Sequence, residues 1–314
     1  YNGEMIGAGK ITDTNGTVLA ETVNGKRVYN ESDTTRKSTL HTVGDTAGFI
    51  STGVQSVYKS KLTGYNALTG IYSVMKNGSG NDLELTIDAD VCNAAYDALR
   101  DYRAGCVGVV NYKTGDLVCM VSTPSYDVEN KPDDIDTNEY YNGAYINRLL
   151  GGLYTPGSTF KLVTAICAIE NIPDIMSREF NCVGEYDPGK GKPIECNAYH
   201  GTLTFKEALA KSCNAVFAQI AIELGPEKLA ETTKNLGLTS AVSISGDINS
   251  LQGKFFLEKG DADDYIGWTG IGQGDTRIPP VAMLRLVGAI ANDGKAVSYN
   301  LVDSLFNKAG KALD

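Results

Sequence analysis

The sequence predicts an α+β fold, with a small β-rich module over residues 1–80 and a larger mixed domain over residues 81–314. Three observations carry this prediction. Residues 1–80 are rich in Thr, Val, Tyr, Asn and Gly and hold two hairpin signals, Asn15-Gly16 and Asn24-Gly25. The breaker cluster Lys76-Asn77-Gly78-Ser79-Gly80-Asn81-Asp82 then marks a linker or turn. Beyond it the composition changes: residues 1–80 hold 8 basic and 6 acidic residues and no cysteine, whereas the remainder holds 20 and 32 and all 7 cysteines.

The elements of the larger domain follow in order. Apolar runs over 106–112 and 117–122 flank Lys113-Thr114-Gly115-Asp116 and read as a β-hairpin. From Ser158, Leu162, Ile166 and Ile169 recur at helical spacing. A second helix begins near Thr204, where Thr204 and Glu207 fit a capping box. After a short break, Val216, Phe217, Ile220, Ala221 and Leu224 continue a buried helical face. A third helix follows Pro279-Pro280, carries Leu284, Val287 and Ala291, and stops near Gly294.

Composition narrows the function classes. With 42% hydrophobic and 21% charged residues over 314 positions, the chain has material for a sizeable core. A net charge of −10 opposes nucleic-acid binding. No apolar run reaches the ~18 residues of a membrane helix, and no secretory leader is visible. The chain opens on Tyr1 rather than Met, so it reads as a fragment or processed form with room for an anchor upstream. Cys92, Cys106, Cys119, Cys167, Cys182, Cys196 and Cys213 form no Cys-x-x-Cys spacing, and His41 and His200 are the only imidazoles. Neither a metal site nor a cofactor is therefore expected. Cys182 and Cys196 bracket a Gly/Pro/Lys-rich loop, and read either as a local disulfide in an oxidising compartment or as reduced thiols. His200 reads as structural.

Two segments carry candidate chemistry. In Tyr154-Thr155-Pro156-Gly157-Ser158-Thr159-Phe160-Lys161 a Pro-Gly turn places Ser158 at the first turn of a helix, and Lys161 lies three residues on, on the same face. A serine hydroxyl needs an adjacent base, and lysine serves when burial lowers its pKa. Taken alone, the same pattern is a helix start with a solvated lysine. The second segment, Lys211-Ser212-Cys213-Asn214, stands at the break between two helices. There Ser212 can relay a proton and Asn214 can orient Lys161 and a substrate amide; alone, Ser-x-Asn is a common turn. Gly152 and Gly157 have phosphate-loop spacing without the Lys-Ser/Thr that must follow. No Gly-x-Ser-x-Gly elbow occurs.

Together, Ser-x-x-Lys followed about fifty residues later by Ser-x-Asn is part of the set found in penicillin-binding proteins and serine β-lactamases. Residues 154–161 resemble the Pro-Gly-Ser-Thr-Phe-Lys box of penicillin-binding transpeptidases, and 211–217 (KSCNAVF) resemble their second box. Residues 270–274 (GIGQG) resemble the Gly-Gln-Gly segment, and Leu85-Thr86-Ile87-Asp88 the opening of the catalytic domain. Residues 8–21 (AGKITDTNGTVLAE) resemble the start of the non-catalytic pedestal of the monofunctional, class B branch. The resemblance implies a peptidoglycan D,D-transpeptidase with the fold of penicillin-binding proteins and serine β-lactamases. Ser158 is then the nucleophile and Lys161 its base. Ser212 and Asn214 assist, the Ser158 N–H supplies half of an oxyanion hole, and Cys213, Gly272, Gln273 and Gly274 lie on the substrate side.

The implied partners are peptidoglycan stem peptides, β-lactams and a membrane glycosyltransferase, on the extracytoplasmic face of a membrane reached through an upstream anchor. The family's third box, Lys-Thr/Ser-Gly, follows Gly-Gln-Gly. The Lys-Thr-Gly at 113–115 precedes the nucleophile and reads as a hairpin turn, as does Lys308-Ala309-Gly310. The chain is thus expected to end before the third-box strand. Lys10, Thr14 and Pro279 depart from the family pattern and suggest a divergent branch. The competing readings are a class D-like β-lactamase and an inactive β-lactam sensor or wall-assembly scaffold.

Overall fold

The computed structural model describes residues 7–66, 71–72, 80–307 and 310–312. Lys76, Asn77, Gly78 and Ser79 of the expected linker lie outside these residues, as do Lys308 and Ala309 of the expected last turn. The chain divides into two compact units: Tyr1–Gly152 with Val242–Ser250 and Leu284–Asp314, and Leu153–Ala241 with Leu251–Met283.

The first unit holds a five-stranded sheet in the order Val302–Phe306, Asp82–Leu85, Ile11–Thr12, Val18–Val23, Lys26–Tyr29. Ile11–Thr12 runs parallel to Asp82–Leu85, and the other neighbours are antiparallel. Both hairpin signals fall at turns. Val23 pairs with Lys26 across Asn24 (φ 51°) and Gly25 (φ 77°), both left-handed as a type I′ turn requires. At Asn15-Gly16 the buried Asp13 carboxylate accepts from the N–H groups of Asn15 and Thr17 at 2.9 and 2.7 Å, and from Ala89 at 3.0 Å. One side chain thereby closes the turn and holds the start of helix Ala89–Ala98.

The N-terminal stretch also contains helix Asp33–Val43, which apolar periodicity does not reveal. Its buried side is largely hydroxylic, with Thr35, Ser38, Thr39 and Thr42 beside Leu40 and Val43. The hydroxyls are satisfied inside: Thr39 donates to Thr35 O at 2.7 Å, Thr42 to Met120 O at 3.0 Å and Ser38 to Asn93 Oδ1 at 2.7 Å. Arg36 on this helix grips Asp127 through Nε and Nη2 at 2.6 and 2.7 Å. Strands Gly105–Val110 and Leu117–Thr123 form the expected hairpin. Lys113 sits in its turn, where its N–H donates to Asn111 Oδ1 at 3.0 Å.

His41 of the same helix is fully buried, and Ala144 O accepts from its Nε2–H at 2.8 Å. Nδ1 has no partner among the described residues. Burial pushes its pKa down from 6.5 to about 4. The unfolded chain therefore binds a proton that the folded chain refuses, and stability present above pH 6.5 is lost as pH falls towards 4. The expected loss is about 3 kcal/mol. Urea unfolding at pH 7 and pH 4 should show a smaller drop for His41→Gln than for the wild type; equal drops would contradict the assignment.

The second unit packs helices Lys161–Asn171, Asn214–Leu224, Pro226–Asn235 and Asp263–Gly270 with the strand pair Glu179–Cys182 and Gly201–Thr204. Its core joins Ala165, Ala168, Phe205, Phe217, Ile220 and Ala221 among others. Helix Asp263–Gly270 approaches Asn214–Leu224 so closely that a Cβ on Gly270 would lie 2.2 Å from Ala221 Cβ. The capping box at Thr204 is present, and helix Phe205–Ala210 follows it.

Two helices are where the sequence puts them but turn a different side inward. In Lys161–Asn171 the buried residues are Lys161, Val163, Thr164, Ala165, Cys167 and Ala168, while Ile169 is exposed. In Pro280–Ala291, Val281, Ala282 and Leu286 are buried, while Val287 and Ile290 are exposed. Both segments are apolar nearly all round, so an i, i+4, i+7 count fits more than one side. Among the described residues no helix is long and apolar enough to cross a membrane.

Candidate active site

Ser158 lies in the 3₁₀ turn Gly157–Phe160, which leads directly into helix Lys161–Asn171. The turn is locked from several sides. Thr159 Oγ1 donates to Pro156 O at 2.7 Å, and the buried Phe160 ring stacks on Phe255 at 5.5 Å. Gly157 takes φ 57°, and its N–H donates to Gly272 O at 2.9 Å. Gly272 (φ 81°) comes so near that a Cβ on it would lie 2.0 Å from Gly157 O. Only glycine fits there. Ser158 itself is exposed.

Helix Phe205–Ala210 ends in a Schellman motif, with Cys213 N–H bonded to Ala208 O at 2.9 Å and Ser212 N–H to Leu209 O at 3.0 Å. The left-handed position of that motif is taken by Ser212 (φ 51°), where glycine is usual. This reversal starts helix Asn214–Leu224 with Ser212 and Asn214 both turned towards Lys161.

Lys161 is 1% exposed, and its Nζ lies 3.0 Å from Ser158 Oγ, 2.8 Å from Ser212 O, 3.0 Å from Ser212 Oγ and 2.6 Å from Asn214 Oδ1. Among the described residues no carboxylate hydrogen-bonds to it. Burial lowers the Lys161 pKa below the ordinary lysine range, opposed by the neighbouring Cys196 and Cys213 sulfurs. The hydrogen-bond roles follow from the donors present. Ser212 O accepts only. Asn214 Nδ2 donates to Glu195 O at 3.0 Å, which turns Oδ1 towards the lysine as a second acceptor. A neutral amine spends its two N–H groups on these oxygens and leaves one lone pair for two hydroxyls, both at 3.0 Å. That is the geometry of a base that takes a proton from one serine and exchanges it with another.

The structure therefore brings Ser158, Lys161, Ser212 and Asn214 to one point. The other expected residues stand apart from it in different ways. Gly272 supports the Ser158 turn through its backbone. Gln273 and Gly274 are exposed, and the Gln273 N–H donates to Trp268 O at 3.0 Å. Cys213 is fully buried, with its Sγ 3.7 Å from Cys196 Sγ. That thiol joins a group the sequence did not disclose: Cys182, His200, Cys196 and Cys213 place their ligand atoms within 4.8 Å of one another. All four sulfurs and nitrogens come from residues 182–213 without a Cys-x-x-Cys pair, which is why spacing gave no signal. The disulfide reading for Cys182 and Cys196 gives way here, since both are free thiols sharing this cluster with a third.

A nucleophile-bearing turn, a buried lysine one turn on and a Ser-x-Asn reversal beside it define a site of the serine–lysine acyl-transfer type. The chain belongs to the penicillin-binding protein transpeptidase domain family, whose model matches residues 105–312. The peptidoglycan D,D-transpeptidase PbpA of Mycolicibacterium smegmatis is 27% identical over 304 residues, covering 82% of this chain and 57% of that protein. The peptidoglycan D,D-transpeptidase MrdA of Escherichia coli is 28% identical over 239 residues, covering 69% of this chain and 36% of that protein. The chain thus spans less than two thirds of the length of each of these relatives. The D,D-transpeptidase domain of a peptidoglycan glycosyltransferase from Eggerthella lenta superposes with a TM-score of 0.79 at 26% identity, over 98% of this chain and 75% of that one. Penicillin-binding protein A of M. tuberculosis, as its penicillin G acyl-enzyme, shares the fold with a TM-score of 0.83 at 23% identity, over 98% and 76%.

Proposed function

We propose that this chain carries the acyl-transfer centre of a peptidoglycan D,D-transpeptidase, which β-lactams also acylate. The observation that supports it most is the buried Lys161 amine, 3.0 Å from the exposed Ser158 hydroxyl, with both its N–H groups directed at acceptors. Lys161 takes the Ser158 proton as Oγ attacks the carbonyl carbon of the terminal D-Ala–D-Ala bond. Ser212, 3.0 Å from the same Nζ, passes a proton to the departing D-alanine nitrogen. The acyl-enzyme is then resolved when an amine of a neighbouring strand attacks the ester carbonyl and Ser158 recovers a proton. Asn214 holds Lys161 and meets the stem-peptide backbone, and the Ser158 N–H stabilises the oxyanion. Cys213 contributes to substrate binding through its backbone, and Gly272, Gln273 and Gly274 form the adjoining wall.

In this reading residues 1–80 form the non-catalytic pedestal and residues 81–314 the transpeptidase region. The whole protein works at the extracytoplasmic face of a membrane, anchored upstream and beside a glycosyltransferase. The test is product analysis with a D-Ala–D-Ala stem peptide and an amine acceptor, using protein from the whole reading frame. Release of D-alanine with formation of the new amide is expected. Water as sole acceptor, with fast β-lactam turnover, points to a hydrolase; no release and no adduct points to a sensor or scaffold.

A further inference from the structure

We infer that Cys182, Cys196, Cys213 and His200 form a tetrahedral structural site for a thiophilic divalent cation, zinc, that ties the second catalytic box in place. The distances carry this. A tetrahedron with metal–sulfur bonds of about 2.3 Å and a metal–nitrogen bond of about 2.0–2.1 Å has sulfur–sulfur edges of about 3.8 Å and sulfur–nitrogen edges of about 3.6 Å. Cys196 Sγ lies 3.7 Å from Cys213 Sγ, and His200 Nδ1 lies 3.5 Å from Cys182 Sγ and 3.6 Å from Cys196 Sγ. All four ligand atoms fall within 4.8 Å of one another, so a single ion reaches each of them. A bare disulfide accounts for two sulfurs and leaves the third thiol and the imidazole without a role.

The donor set selects the ion. Three thiolates and an imidazole suit a soft, tetrahedral centre and exclude magnesium and calcium, which need oxygen ligands. Four protein ligands leave no open position, which marks a structural rather than a catalytic ion. Binding displaces three thiol protons and uses the unprotonated Nδ1 of a neutral imidazole, so the closed site carries one net negative charge. A support beyond the ligands is also present. The Asn214 N–H donates to Cys196 Sγ at 3.3 Å, the kind of outer bond that steadies a metal thiolate.

The placement gives the ion its work. Cys182 ends strand Glu179–Cys182, Cys196 and His200 lie on the following loop, and Cys213 stands between Ser212 and Asn214. Glu195, next to Cys196, accepts from Asn214 Nδ2 at 3.0 Å. A single ion thus joins the strand, the loop and the reversal that aims Ser212 and Asn214 at Lys161. The four ligands are positioning residues, since none reaches Ser158 or its acyl group.

The test is metal content, which is independent of whether the chain acylates. Reduced protein is reconstituted with zinc and measured by native mass and elemental analysis, then with cobalt(II) for its absorption spectrum. One zinc per chain is expected, together with the intense thiolate-to-cobalt charge transfer and d–d bands of a tetrahedral sulfur-rich site. Cys196→Ser and His200→Ala should each lose the ion or weaken its binding at least ~10-fold, whereas Cys106→Ser should keep it. Should a ligand variant fail to fold, removing zinc from the wild type with a chelator gives a second reading: lower thermal stability, restored by adding zinc back. Reduced wild type that takes up neither zinc nor cobalt overturns the inference, and so does protein recovered metal-free with a disulfide between two of the three cysteines.

Discussion

Replacing Lys161 with alanine is expected to lower the rate constant for acylation of Ser158 by a β-lactam by roughly 10²–10⁴-fold, the range for loss of a positioned general base. The effect is large because, among the described residues, no second base hydrogen-bonds to this centre. Of the described groups bonded to Lys161, two are hydroxyls, one is a backbone carbonyl and one an amide oxygen. The pH profile separates base from scaffold. Only the neutral amine accepts a proton, so the wild-type rate climbs with pH and levels off above the Lys161 pKa. Burial brings that plateau below the ~10.4 of a free lysine. Lys161→Arg keeps a cation in place but stays charged throughout, so its profile is low and flat. Stopped-flow acylation across pH reads both variants. A Lys161→Ala rate within a few-fold of wild type would remove the lysine from the chemistry.

The second large effect comes from Ser212→Gly and Ser212→Ala, which share a loss of activity and differ in stability. Ser212 occupies the left-handed position of a Schellman motif at φ 51°, which costs an L-residue energy that glycine avoids. Glycine there is expected to raise unfolding stability by roughly 0.5–1 kcal/mol over Ser212→Ala, which keeps the backbone strain and loses the same hydroxyl. Both variants lose the hydroxyl 3.0 Å from Lys161 Nζ and are expected to acylate at least ~10²-fold more slowly. Thermal melts and acylation rates of the pair decide the matter. Glycine less stable than alanine would contradict the strain, and acylation at the wild-type rate would contradict the relay. A left-handed serine whose hydroxyl meets a buried lysine is a local conflict of the kind found at functional sites.

The convergence of the Ser-x-x-Lys and Ser-x-Asn segments was the most legible part of the sequence. Ser158 and Lys161 are three residues apart and need only one turn of helix to meet, and the Thr204 capping box fixes where the next helix starts. The left-handed serine that turns Ser212 and Asn214 back was not legible, because sequence rules expect glycine at such a position. Helix Asp33–Val43 escaped notice because it buries hydroxyls that bond to carbonyls, and a hydrophobic count does not see them. The inward sides of Lys161–Asn171 and Pro280–Ala291 were ambiguous because these helices are apolar nearly all round. The cysteine–histidine cluster needed the fold itself. Its ligands come from a strand end, a loop and a helix start that only tertiary structure brings together.

The most direct measurement is the mass of the protein after incubation with penicillin G, followed by peptide mapping of any adduct, alongside a Ser158→Ala control. The expected result is a single penicilloyl group, mapped to Ser158 and absent from the control. An adduct that survives Ser158→Ala, or maps to Ser212 or to a cysteine, would contradict the assignment of Ser158 as the nucleophile that Lys161 activates.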